Sequence, residues 1–116
     1  MEWSPELELQ KQKDMHVIES LRTLGSDMSK PHEIEHHFVT ESKECAEALH
    51  AWARDHGFRV SELLDIDYEG RHDWYFDIIR PTVPAIEAIS ADTSLMLSLA
   101  EEFGVEYDGW GCLIEP

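Results

Sequence analysis

Apolar residues recur along this chain with two different periods, and the switches between them lay out a series of elements. Val17, Ile18, Leu21 and Leu24 share one side of a helix predicted from about Pro5, with Gly25 placed to end it. A polar loop through Ser26 and Pro31 follows, and then the period drops to two. Ile34, His36 and Phe38 take one parity and Glu33, Glu35, His37 and Val39 the other, the signature of a strand. Ser42 is a good N-cap for a second helix with an apolar stripe of Cys45, Leu49, Trp52 and Ala53, stopped by Gly57. Phe58, Val60, Leu64 and Ile66 next alternate with Arg59, Ser61, Asp65 and Asp67, which predicts a half-buried strand. Tyr68-Glu69-Gly70-Arg71 turns the chain, and Trp74, Phe76 and Ile78 return against Asp73, Tyr75 and Asp77. A third helix is expected from about Pro84 to Phe103 with Ile86, Ile89, Thr93, Met96, Leu97, Ala100 and Phe103 inside and Gly104 at its end. A last strand contains Trp110, Cys112 and Ile114.

After the first helix the order is strand, helix, strand, strand, helix, strand. That order predicts an α+β, ferredoxin-like split βαββαβ fold: an antiparallel sheet with two helices on one face, plus an N-terminal helix. The expected organisation is a single domain over residues 1–116, with the first helix at 5–25 and the core at 32–115.

Charge changes this picture most. Twenty-five acidic residues against nine basic ones give a formal net charge of −16, and no Lys or Arg follows Arg80. Such a field repels nucleic acid and anionic membranes and attracts basic partners. No apolar run is long enough to cross a bilayer, and Met1-Glu2-Trp3-Ser4 is acidic where a secretory signal is basic, so a cytoplasmic location is expected. Cys45 and Cys112 are then expected as reduced, packed thiols.

His32-Glu33-Ile34-Glu35-His36 matches the zinc-protease pattern H-E-x-x-H, in which helical i, i+4 spacing brings two imidazoles to one metal. The segment alternates like a strand, where positions four apart are separated by about 13 Å, so neither a metal nor any other cofactor is assigned. A metal-assisted hydrolase using His32, Glu33 and His36 is the enzymatic rival reading, and a small-ligand regulatory module is a third. His36 and His37 point to opposite faces, one hydrogen-bonded within the core and one outside. No nucleophile elbow or phosphate loop occurs, Cys45 lies on an inner helical stripe, and no catalytic residue is assigned. RNA-binding domains of this topology carry exposed aromatics and basic residues on the sheet. Here the outward parity offers Glu33, Glu35, His37, Asp65, Asp67, Asp73, Tyr75 and Asp77, which excludes direct binding of a nucleic acid through that face.

Gly25-Ser26-Asp27 ahead of Ile34-Glu35-His36-His37-Phe38, with the closing Leu99 to Gly111 stretch and its Glu106-Tyr107-Asp108-Gly109-Trp110-Gly111, resembles the bacterial regulator of ribonuclease activity B family over roughly Asp14 to Ile114. The resemblance implies a ferredoxin-like cytoplasmic protein that inhibits ribonuclease E by binding the enzyme and its basic scaffold region, without cutting RNA itself. It transfers no individual contact residue. Strand parity nominates Glu33, Glu35, His37, Asp65, Asp67, Asp73, Tyr75 and Asp77 on the outer sheet face, with Asp108 and Trp110 at its rim, for a basic segment of a protein partner. The closing motif also has a structural reading: Asp108-Gly109 suits a turn or bulge, with Tyr107 and Trp110 as packing anchors.

Overall fold

The computed structural model describes residues 5–116. In chain order the elements are α1 (Pro5–Thr23), β1 (His32–Thr40), α2 (Lys43–Asp55), β2 (Arg59–Val60), β3 (Leu64–Tyr68), β4 (Arg71–Thr82), α3 (Ile86–Phe103) and β5 (Glu106–Gly111). The fold is α+β, with, among the described residues, three helices beside an open, five-stranded antiparallel sheet. β1 lies between β4 and β5, while β2 and β3 follow one another along the far side of β4.

Alternation along β1 decides the layering. His32, Ile34, His36 and Phe38 are buried, and the residues between them are exposed or half-buried. Phe38 joins Phe76 and Ile78 of β4 against Ala46, Leu49 and Ala53 of α2 and Met96, Leu99 and Ala100 of α3. A second cluster puts Ile18 and Leu21 of α1 against Ile34, Ile89 and Trp110. All three helices therefore pack on the same side of the sheet, and no described element covers the other side. The first helix, α1, lies beside α3.

Three expectations need correction. The predicted single strand from Phe58 is two. Val60 pairs with Ile78 and Leu64 with Tyr75, so Ser61, Glu62 and Leu63 stand opposite two residues, Phe76 and Asp77. That is a β-bulge, and one extra residue moves every later side chain to the opposite face. Ser61 pins it: its N–H donates to the Asp77 carbonyl at 3.0 Å, its hydroxyl oxygen accepts from the Asp77 N–H at 2.7 Å, and its carbonyl lies 2.8 Å from His50 Nε2. Leu63 packs on the core instead, while Leu64 and Ile66 are exposed. The last strand runs from Glu106 to Gly111 and not through Ile114, because Asp27 N–H and Ser26 Oγ take the Glu115 backbone carbonyl and N–H, at 2.6 and 2.9 Å. On α1, Leu24 is exposed, and the buried stripe continues toward the amino end through two polar residues, Asp14 and Gln10.

Ser42 caps α2 as its sequence position suggests, with its hydroxyl oxygen accepting from Cys45 N–H at 3.2 Å. Ser42→Ala leaves that N–H without its partner and is expected to lower the unfolding free energy by about 1 kcal/mol in urea titrations.

Candidate protein-interaction surface

The uncovered side of the sheet is built by the alternate residues of β1, β4 and β5. Glu33, Glu35 and His37 come from β1, and Asp73, Tyr75 and Asp77 from β4, each pair of strands bringing same-face residues opposite one another. Arg59 stands opposite Ile79 on the same side and grips Glu33 with two hydrogen bonds, at 2.7 and 3.0 Å. That bonding holds the Glu33 carboxyl below its ordinary range. His37 Nδ1 lies 2.7 Å from Asp77 Oδ1. Arg71 reaches Glu41 at 2.8 Å and Asp73 at 3.3 Å, and the Tyr75 hydroxyl donates to Asp73 at 3.4 Å.

β5 adds acids of a different kind. His36 pairs with Trp110 and Phe38 with Tyr107, so His37 alone stands opposite Asp108 and Gly109. Gly109 has φ of 86°, a conformation L side chains rarely adopt, and this bulge lets both Tyr107 and Trp110 turn inward although they are three positions apart. Asp108 is left exposed at the bulge. Among the described residues Glu35, Glu106 and Asp108 have no ion-pair partner. Paired charges occupy the β4 side of the face and unpaired carboxylates the β5 side.

Three of the nominated residues lie elsewhere. Asp65 stands opposite Trp74 and Asp67 opposite His72, so the bulge has turned both to the side on which the helices pack. There they flank His72, with Nδ1 3.0 Å from Asp65 and Nε2 3.7 Å from Asp67, and the hydrogen bond to Asp65 raises the imidazole pKa. Leu64, Ile66 and Tyr68 take their place on the open face, at 50, 46 and 68% exposure. The adjacent pair Leu63-Leu64 was the available sign, since two neighbours in one strand cannot both face the core. Trp110 is not at a rim: it is buried, and its Nε1–H donates to Asp14 at 2.9 Å.

His32 and His36 sit on one extended strand, not a helix, and each is already engaged. His32 Nδ1 donates to the Lys30 carbonyl at 2.8 Å and its Nε2 accepts from the Ser26 hydroxyl at 2.6 Å. His36 Nδ1 is 2.8 Å from the Tyr107 hydroxyl. Among the described residues no group of three His, Cys, Asp or Glu is placed to hold a metal. Both cysteines are free thiols, and burial pushes that of Cys112 up in pKa, away from the reactive thiolate. Between α1, α3 and the start of β5 lies an open groove of about 630 Å³, bordered by Leu9, Gln10, Leu97, Val105 and Tyr107. No described helix is long and apolar enough to cross a membrane.

The family model described as "Regulator of ribonuclease activity B" matches residues 11–112, which takes in all of these strands and the closing motif. A protein of that name from Pseudoalteromonas translucida is 36% identical over 96 residues, covering 82% of this chain and 86% of its own. The Salmonella typhi protein is 34% identical across 97% of this chain and 83% of its own, and the Escherichia coli K12 protein 32% across 95% and 80%. The chain belongs to the bacterial regulator of ribonuclease activity B family.

Proposed function

We propose that this chain regulates RNA decay by binding a ribonuclease, of the ribonuclease E type, through an Arg- and Lys-rich segment of that enzyme, and that it does so in the cytoplasm without catalysing a reaction itself. The observation that carries the reading is the uncovered sheet face with its unpaired Glu35, Glu106 and Asp108, in a chain of net charge −16. Carboxylates already held by Arg59 or Arg71 have spent much of their attraction, whereas unpaired ones are free to meet a cation from a partner. His37, Asp73, Tyr75 and Asp77 form the adjoining polar surface, with Glu33 at its border. Complementary charge of this kind speeds encounter and makes affinity fall with salt.

Titration of purified ribonuclease E with the chain tests this. Affinity is expected to weaken steeply between about 0.05 and 0.5 M salt, as Debye screening shortens. The double variant Glu35→Lys, Asp108→Lys is expected to bind at least tenfold more weakly at low salt while unfolding at the same urea concentration as the parent. Absence of binding, or binding that ignores both salt and this charge reversal, overturns the reading.

A further inference from the structure

Among the described residues β3 is the one strand of the sheet all of whose residues are exposed, and β4 is its only neighbour. Its backbone can be assigned bond by bond. Tyr68 pairs with Arg71 across a two-residue turn, Glu69 at φ 52° and Gly70 at φ 82°, both in the left-handed region that a type I′ hairpin requires. The residues flanking such a turn exchange both hydrogen bonds, and the pairs then alternate. Leu64, Ile66 and Tyr68 therefore spend their N–H and C=O groups on β4. Asp65 and Asp67 point theirs away from the sheet, to a side where no described residue meets them. At the opposite edge β5 is interrupted by its bulge, which blunts strand addition there.

The side chains of β3 sort by face. Leu64, Ile66 and Tyr68 lie on the open side, continuous with Tyr75 opposite Leu64. Asp65 and Asp67 lie on the other side, sharing the single imidazole of His72, so a net negative charge remains there even when that ring is protonated. A strand laid along this edge would set its alternate residues against these two rows.

We propose that the free edge of β3 takes up an extended segment of a protein partner as a further strand, the segment alternating Arg or Lys with apolar residues. The cations meet Asp65 and Asp67 on one face, and the apolar residues cover Leu64, Ile66 and Tyr68 on the other. A second copy of this chain fits poorly. Pairing β3 with itself brings Asp65 and Asp67 against their own counterparts, in a molecule already carrying −16. The proposal deepens the ribonuclease-binding reading and rests on it for the identity of the partner, whose basic segment would be held by its backbone as well as its charge.

The test uses the full chain and two end-blocked peptides of equal composition, Arg-Val-Arg-Val-Arg-Val and Arg-Arg-Arg-Val-Val-Val. The alternating peptide is expected to bind at least tenfold more tightly. Amide exchange at Asp65 and Asp67, followed by NMR, is expected to slow at least tenfold on its addition. Asp67→Pro removes an outward N–H without breaking the ladder to β4 and should abolish the preference; Asp67→Asn keeps that N–H and loses one charge, so it should weaken the alternating peptide and reduce, without abolishing, its preference. The exchange measurement needs no variant, so a misfolded proline variant does not decide the matter. Equal binding with both amides unprotected overturns the proposal. So does no binding by either peptide, in which case Asp65 and Asp67 serve only to keep the edge from pairing. Protection already present in the free chain, with concentration-dependent self-association, overturns it in favour of a second copy. Ribonuclease binding that leaves these amides unprotected sinks the edge site and leaves the regulator reading intact. Loss of ribonuclease binding removes that reading, while the peptides still report on the edge.

Discussion

Asp14→Ala is expected to cost about 3 to 5 kcal/mol of stability, a large share of the roughly 5–15 kcal/mol that holds a typical domain together. Asp14 is fully buried on α1 and accepts three hydrogen bonds: from Gln10 Nε2 at 2.9 Å, Thr93 Oγ1 at 2.8 Å and Trp110 Nε1 at 2.9 Å. One carboxyl group thus ties α1 to α3 and β5. Truncation strands the indole N–H, which has no other acceptor among the described residues, and opens a small cavity beside it. The Thr93 hydroxyl keeps an alternative in the Ser90 carbonyl at 3.3 Å. Asp14→Asn should behave differently. With its oxygen toward Gln10 and Trp110 and its amide nitrogen toward Thr93, whose hydroxyl can accept as well as donate, it retains three bonds and is expected to lose only about 1 kcal/mol. Urea unfolding followed by tryptophan fluorescence separates the two. Equal losses for both variants, or a loss below about 1 kcal/mol for Ala, would show that the bonds are not what holds α1 in place.

The same cluster explains how much of this molecule could be read from its residues. Regular amphipathic segments were legible. β1 follows strict alternation, and α2 shows its stripe and its Ser42 cap. In both, burial and local periodicity say the same thing, and the closing motif suggested a bulge with inward aromatics, which Gly109, Tyr107 and Trp110 form. Asp14 was illegible, because its partners lie four, 79 and 96 positions away and a hydrophobic pattern counts it as surface. Leu64 to Tyr68 misled for another reason. A single extra residue near Ser61 inverts the parity downstream, and parity was the only argument for placing Asp65 and Asp67 beside Asp73 and Asp77. The charges on the candidate face were countable, but not which of them were already matched. Arg59 and Glu33 are 26 positions apart, so only the folded sheet reveals the pair.

His36 should make stability depend on pH over a range where an ordinary surface histidine would not. Its ring is fully buried, Nε2 has no hydrogen-bond partner among the described residues, and Nδ1 is bonded to Tyr107. Desolvation, aided by the nearby His37 and Arg80 charges, lowers its pKa to about 4 from an ordinary 6.5. Protonation would put an unpaired N–H and a positive charge into the core. Burial also raises the pKa of the Tyr107 hydroxyl, so it stays protonated throughout. Between these two pKa values the unfolded chain binds the proton and the folded chain does not. The unfolding free energy therefore rises with pH across this window, and the contribution is lost as pH falls from 6.5 toward 4. At pH 4.5 the expected loss from this one group is about 2–3 kcal/mol relative to pH 7. His72 works in the opposite direction, since its raised pKa stabilises the protonated folded state and that contribution disappears as pH rises. A comparison of the parent with His36→Phe isolates the buried ring, because His72 and every exposed carboxylate are common to both. The parent should lose stability on acidification by that extra 2–3 kcal/mol, and direct NMR titration should place the His36 midpoint near 4. Parallel pH profiles, or a midpoint near 6.5, would mean that the ring reaches water and that the core beneath β1 and β5 opens more readily than its packing implies.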